Sequence, residues 1–134
     1  MKEYHKIETL FKRSPDTKKL VEGVFANKAV EYLKDNIWQF TEKVDGTNIR
    51  VYWDGHSASF AGRTDKAQIP EPLLNKLNDL FGGEANAQLF EQKFGDKEVI
   101  LFGEGFGPKI QKGGGLYRKE VDFILFDVLI GEKY

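Results

Sequence analysis

A lysine, an aspartate and a glycine occur close together in the segment EKVDGTN, at positions 42–48. Lys43 and Asp45 are two residues apart, so in an extended chain their side chains lie on the same face. A neutral lysine amine can attack an electrophilic phosphorus, and burial or a nearby cation favours the neutral form. Taken alone, the pair is equally compatible with an exposed ion pair before a turn, which contributes little to stability.

Two more charged residues follow segments that have the pattern of strands. Arg63, in FAGRT, could hold a phosphate or a ribose, or could simply extend into solvent. Glu104, in LFGEGFG, lies between glycines, where a ligand could approach the backbone closely. The alternative for this motif is a glycine-rich turn. It is neither a P-loop nor a dinucleotide-binding fingerprint.

An aspartate interrupts the apolar run FILFDVLI near the end of the chain. A buried charge without a partner is unfavourable, so Asp127 needs a partner or a ligand nearby. Strand alternation predicts that Phe126 points to the opposite face. An aromatic residue there either fills the core or, if its face lines a cleft, offers a stacking platform for a base.

Periodicity predicts the elements that must position these residues. Loosely helical spacing favours helix within 14–36, where Leu20, Val21, Val24 and Phe25 form one stripe, although Gly23 weakens that prediction. Extended segments are expected at 38–43, 48–54, 57–63, 98–107 and 121–131, and helices at 69–83 and 85–95. Asp54–His56 predicts a hairpin turn, because Gly55 can adopt a positive φ.

The order of these elements lacks the repeated strand–helix–strand unit of a doubly wound sheet. We therefore expect an α+β domain with mainly antiparallel strands and flanking helices. The length of 134 residues suits a single domain, which we assign to residues 1–134.

The composition limits the classes of protein that fit. The chain has no cysteine and a formal net charge of −1, so it lacks thiolate metal sites and any overall attraction to nucleic acid. Local basic clusters could still form a nucleic-acid groove or merely a solvated surface. No apolar run is long enough to span a membrane, and the N-terminus lacks a signal-peptide pattern. We expect a soluble cytoplasmic protein.

Taken together and in this order, the segments EKVDGTN, GRT, FGEGFGPKIQ and DFILFDV are far more specific than any one of them. The combination resembles the covalent nucleotidyltransferase superfamily of ATP-dependent ligases and capping enzymes. In detail it is most similar to the RNA ligase 2 family of phage RNA ligases and RNA-editing ligases. The resemblance runs from Lys2 to Ile130 and includes the opening EYHKIETLF. It implies a nucleotidyltransferase (ATP-grasp-like) fold.

The resemblance also implies a reaction. Lys43 would attack the α-phosphorus of ATP, expel pyrophosphate and form a lysyl-AMP intermediate, with Mg²⁺ neutralising the phosphates. AMP would pass to the 5′-phosphate of an RNA end, and a 3′-OH would then seal the strand. No partner protein and no metal-binding side chain are implied.

The resemblance assigns a part in holding the nucleotide to nine further residues. Arg63 and Glu104 would hold the ribose and phosphate, Phe126 would stack on adenine, and Asp127 would support it. Glu42 would help to read the adenine. The nucleotide-binding set is Glu42, Asp45, Gly46, Thr47, Asn48, Arg63, Glu104, Phe126 and Asp127.

Two motifs that the superfamily carries after the Phe-Asp strand do not occur before Tyr134: a Glu-Gly segment and a lysine pair. We therefore expect the N-terminal portion of a longer ligase, or a shortened relative, with weak or no activity by itself. Two alternatives stay open. One is a DNA ligase or capping-type nucleotidyltransferase, against which GPKIQ argues, and the other is a non-catalytic nucleotide- or RNA-binding module.

Overall fold

The computed structural model describes all residues from Met1 to Tyr134 and shows an α+β protein. Its regular structure consists of two antiparallel sheets, three α-helices and one short 3-10 helix (Gly114–Leu116), and the order of patterns predicted this class. In chain order the elements are β1 (Phe11–Arg13), β2 (Leu20–Phe25), α1 (Lys28–Leu33), β3 (Thr47–Trp53), β4 (Ala58–Ala61), α2 (Glu71–Phe81), α3 (Gly83–Phe94), β5 (Val99–Phe106) and β6 (Asp122–Ile130). None of the helices is long and apolar enough to cross a membrane.

The chain forms two compact units. One consists of His5–Glu42, and the other combines Met1–Tyr4 with Lys43–Tyr134. We call them the small unit and the large unit.

The small unit contains the hairpin of β1 and β2, followed by α1. Phe11 pairs with Phe25 across the hairpin, and their ring centroids are 5.6 Å apart. The helix predicted at Leu20–Phe25 is wrong, because this segment is strand β2. Val21 and Val24 are β-branched and suit a strand, and Gly23 adopts a φ of +81° that a helix does not allow. Helix begins only at Lys28, where the Asn27 side chain accepts the N–H of Val30.

The large unit is built on a four-stranded sheet in the order β4-β3-β5-β6, with every neighbouring pair antiparallel. Strands β3 and β4 form the predicted hairpin, and Gly55 in its turn has a φ of +95°. Residues 38–43, predicted to be extended, form no strand. The helices predicted near 69–83 and 85–95 are confirmed as α2 and α3.

One face of this sheet packs against α2 and α3 to form the main core. Alternation along β3 directs Ile49, Val51 and Trp53 to this face. The indole of Trp53 stacks on Phe90 of α3 at 5.1 Å, and its N–H donates to the Gly95 carbonyl over 3.1 Å. The other buried members of the core are Leu73, Leu77, Val99 and Leu101.

The opposite face of the sheet, which we call the second face, carries the alternate residues of the same strands. Its apolar centre consists of Ile100, Phe102 and Leu129, with Tyr4 and Tyr52 packed against it. The register places Asn48 opposite Glu104, and Arg50, Phe102 and Asp127 in one row across three strands. Asn48, Glu104 and Asp127 therefore share one side of the sheet, whereas Thr47, the first residue of β3, alternates to the other side.

Candidate active site

Lys43 and Asp45 lie on the short segment that enters β3. Both side chains are exposed, and Gly46, Thr47 and Asn48 are half-buried. Strand β3 pairs with β5 so that Thr47 is opposite Gly105 and Asn48 opposite Glu104. This register brings the lysine-containing segment beside Glu104, some 60 residues later in the chain. Burial, one of the two conditions that favour a neutral lysine, does not apply to Lys43 in this structure.

Gly46 is held from two sides. Its N–H donates to the carboxylate of Glu104, and its carbonyl accepts the side-chain amide of Gln111 over 3.1 Å. One residue earlier, the N–H of Asp45 donates to the hydroxyl of Tyr117 over 3.2 Å. Strand β5 and the loop after it thus fix the backbone two and three residues beyond Lys43.

The Glu104 carboxyl is half-buried and lies among charged groups. Burial raises the pKa of Glu104 above its ordinary value, and the charge of Asp45 acts in the same direction. The Gly46 N–H and the positive charge of Lys43 lower that pKa. A cationic or hydrogen-bonding ligand here would favour the ionised form further. Glu104 is therefore close enough to Lys43 and Asp45 to interact electrostatically with both.

The glycines on either side of Glu104 serve packing on the core face. A Cβ on Gly103 would collide with the ring of Phe123, and one on Gly105 would collide with the buried side chain of Leu73. Close approach of a ligand, the reason that the sequence suggested, is not what requires these two glycines. Their absent side chains let β6 and α2 pack tightly while Glu104 projects from the second face.

Asn48 provides a polar atom without a partner. Its side-chain oxygen is buried and accepts no hydrogen bond within the protein. Buried polar atoms are nearly always satisfied, so an exception next to a carboxylate calls for an explanation. A ligand hydroxyl reaching the space between Asn48 and Glu104 would satisfy it.

Phe126 and Asp127 lie at a β-bulge. Phe102 pairs with Asp127 while Gly103 pairs with Leu125, which leaves Phe126 as the extra residue. The bulge corrects the prediction that the two side chains point to opposite faces, because both contact Tyr4. The Tyr4 hydroxyl donates to Asp127 over 2.9 Å, and its ring meets the Phe126 ring edge-on at 5.1 Å.

Asp127 therefore has the partner that its position in an apolar strand required. Burial raises the pKa of Tyr4 to about 12, and the hydrogen bond to Asp127 acts in the same direction. Phe126 keeps 47% of its side chain exposed. A half-exposed ring on the second face is available for stacking, which a ring in the main core would not be.

Arg63 and Glu42 are both exposed in the structure. Arg63 is exposed, two residues beyond the end of β4, in a turn whose Gly62 is buried. Glu42 is exposed and is the last residue of the small unit, whereas Lys43 is the first residue of the second segment of the large unit.

A comparison with protein-family models matches residues 36–134 to the RNA ligase family. The chain belongs to the RNA ligase family. The matched range includes every residue that the sequence singled out, from Glu42 to Asp127. Membership supports a general role as an RNA ligase or nucleotidyltransferase, with RNA as the class of substrate. A comparison with curated proteins finds no match.

Four residues of this RNA ligase family member lie in the site region without having been predicted there: Tyr4, Arg50, Gln111 and Tyr117. Gln111 and Tyr4 stand within segments that carried the resemblance, so the motifs contained a signal for both. Arg50 was visible as the charged member of an alternating strand. Nothing in the sequence marked Tyr117, whose contact with Asp45 spans 72 positions.

The side chains of this ligase family member do not form a metal cage, since no three or more His, Cys, Asp or Glu residues cluster. Mg²⁺ commonly takes one or two carboxylates and draws its other ligands from phosphates and water. Asp45 and Glu104 are two carboxylates close to Lys43 and fit that pattern. The unsatisfied oxygen of Asn48 fits the ribose of a nucleotide.

Proposed function

We propose that this protein is the adenylyltransferase part of an ATP-dependent RNA ligase, with Lys43 as the nucleophile. The observation that supports this best is the convergence on Glu104. The Glu104 carboxylate accepts the Gly46 N–H, senses the charge of Lys43 and lies opposite the unsatisfied side chain of Asn48.

In the proposed reaction the Lys43 amine forms a P–N bond to the α-phosphorus of ATP. The bond from that phosphorus to the bridging oxygen breaks, pyrophosphate leaves and the amine loses a proton. AMP is then transferred to an RNA 5′-phosphate, which frees Lys43, and attack by a 3′-OH releases AMP and joins the strands.

The other residues act by binding and orientation. Asn48 and Glu104 would accept hydrogen bonds from the ribose hydroxyls, with Thr47 beside the sugar–phosphate. Phe126 would stack on adenine beside Asp127, and Arg63 would pair with phosphate oxygens. Glu42 would contact the adenine edge. Mg²⁺, held by phosphate oxygens with Asp45 or Glu104, would neutralise the developing negative charge when bound.

Covalent labelling with α-labelled ATP and magnesium tests the proposal. We expect labelled protein whose adduct maps to Lys43 by peptide mass spectrometry, and loss of the label in Lys43→Ala. Lys34→Ala, an exposed lysine of the small unit, is the matched control and should label like the wild type.

ATP binding is measured in parallel by calorimetry. Labelling that survives in Lys43→Ala would refute the assignment of the nucleophile. Binding of ATP without any covalent adduct would favour the non-catalytic binding module. Sealing of nicked RNA and DNA duplexes distinguishes an RNA ligase from a DNA ligase or capping-type enzyme.

A further inference from the structure

Arg50 is a fully buried charge in the middle of β3. Its side chain has 0% of its surface exposed, and it is the only charged residue in the buried part of the protein. A buried guanidinium is tolerated only when its donors are satisfied. The structural question is where those donors point.

The guanidinium binds two separate backbone segments. Nε donates to the Gly62 carbonyl over 2.8 Å, and one terminal nitrogen donates to the carbonyls of Met1 and Lys2 over 2.8 and 3.3 Å. The other terminal nitrogen pairs with Asp65 at 2.8 Å. The fork of Arg50 therefore joins the turn after β4 to the first residues of the chain.

One of these segments contains a residue of the proposed nucleotide site, and the other contains a tyrosine that contacts two residues of that site. Gly62 and Asp65 flank Arg63, and Arg50 binds the backbone carbonyl of Gly62 on one side and the side-chain carboxylate of Asp65 on the other. Met1 and Lys2 lead to Tyr4, which contacts Asp127 and Phe126. Arg50 and Asp127 are also in one row of the sheet, with Phe102 between them.

Stability alone is a poor explanation for this arrangement. Well-packed apolar residues often replace buried ion pairs without loss of stability. The Asp65 carboxylate is 65% exposed, so water competes with Arg50 for it. A planar guanidinium that binds three carbonyls in two segments instead orients those segments relative to each other, which no apolar side chain can do.

We propose that Arg50 is a positioning residue of the nucleotide site, one that sets Arg63 and the Tyr4–Asp127–Phe126 cluster in their ligand-binding geometry. This inference rests on the proposed function. Arg50 acts through its two backbone segments and does not itself contact the ligand.

The test compares Arg50→Met and Arg50→Lys with a control on the same strand, Val51→Ala, which removes buried volume on the opposite face. ATP affinity is measured by calorimetry, and amide hydrogen exchange is followed by mass spectrometry. We expect Arg50→Met to raise the Kd for ATP about tenfold or more and to speed exchange at 62–65 and 1–4. Arg50→Lys should fold but bind ATP several-fold more weakly than the wild type, because a lysine ammonium cannot bind both segments at once as the guanidinium does.

The Val51→Ala control should lose stability but keep the wild-type Kd and the wild-type exchange rates in those two segments. A double-mutant cycle with Arg63→Ala adds a readout that a purely structural role would not change. If Arg50 acts through Arg63, the two losses in ATP affinity are not additive.

The outcomes separate this inference from the proposed function. A wild-type protein that binds ATP, with an Arg50→Met variant of equal Kd or unchanged exchange at 62–65, would overturn the inference alone. An equal rise in Kd in Val51→Ala, or additive losses in the cycle, would also overturn it. A wild-type protein that neither labels nor binds ATP would overturn the proposed function, and the inference with it.

Discussion

Gly46→Ala gives the sharpest test of how the site is held. An added Cβ would collide with the carbonyl oxygen of Gly105, and it would lie 2.9 Å from the Gly105 carbonyl carbon and 3.0 Å from Phe106 Cβ. These are backbone atoms or atoms next to the backbone of a buried strand, so they cannot swing aside as a side-chain end could. Ordinary contacts begin near 3.4 Å, so the segment must move by at least about 0.5 Å, and further to clear the oxygen.

The movement affects the site through Gly46 itself. The Gly46 N–H would leave the Glu104 carboxylate, its carbonyl would leave Gln111, and Lys43 would shift with the segment. Overpacking a rigid contact typically costs about 1–3 kcal/mol of folding free energy. A displacement near 1 Å can reduce a rate about 100-fold, so we expect lysyl-AMP formation to fall between about 10- and 100-fold.

The assay measures the rate of labelling from α-labelled ATP together with the thermal unfolding midpoint. Gly95→Ala is the matched control, since Gly95 has a φ of +63° and no atom within 4 Å of an added Cβ. Backbone strain there should cost about 1 kcal/mol without moving Lys43. A Gly46→Ala variant that labels at the Gly95→Ala rate would refute the view that this close contact positions the nucleophile.

Two further predictions concern the groups around Gly46. In Glu104→Gln, lysyl-AMP formation should fall at least about 100-fold, whereas thermal stability at pH 7 should equal or exceed that of the wild type. Because the pKa of Glu104 is raised, the ionised carboxylate disfavours the ligand-free fold above that pKa; the effect shrinks as the pH falls through the raised pKa and is absent below the ordinary pKa of a glutamate. The Tm advantage of Glu104→Gln should therefore shrink on acidification, and a constant or growing advantage would contradict the assigned direction. Tyr117→Phe should lower the labelling rate by about two- to fivefold. It should change the free energy of unfolding by less than about 1 kcal/mol, because water can replace the exposed hydroxyl as acceptor for the Asp45 N–H. The control is Tyr32→Phe, which changes an 87% exposed tyrosine and should leave the labelling rate unchanged.

Local patterns in the sequence were sufficient to predict the type of a segment wherever its own residues decide between helix and strand. The extended segment expected at 48–54 is strand β3, because an alternating pattern of apolar and polar residues follows the strand period residue by residue. Helices α2 and α3 followed from apolar spacing and from the terminal glycines. Leu20–Phe25 was predicted incorrectly because short apolar runs suit helix and strand alike, and pairing with β1 decided between them.

The order of motifs likewise indicated the family and the candidate residues, from Glu42 to Asp127, without a structure. Only the tertiary structure decided why Gly103 and Gly105 are glycines, since the reason is the packing of Phe123 and Leu73 from other elements. The bulge that turns Phe126 to the side of Asp127 depends on the register between β5 and β6. The partners of Arg50 lie 12 to 49 positions away, and contacts of that range leave no periodic trace in a sequence. Sequence thus specified which side chains are available, and long-range packing determined which of them meet.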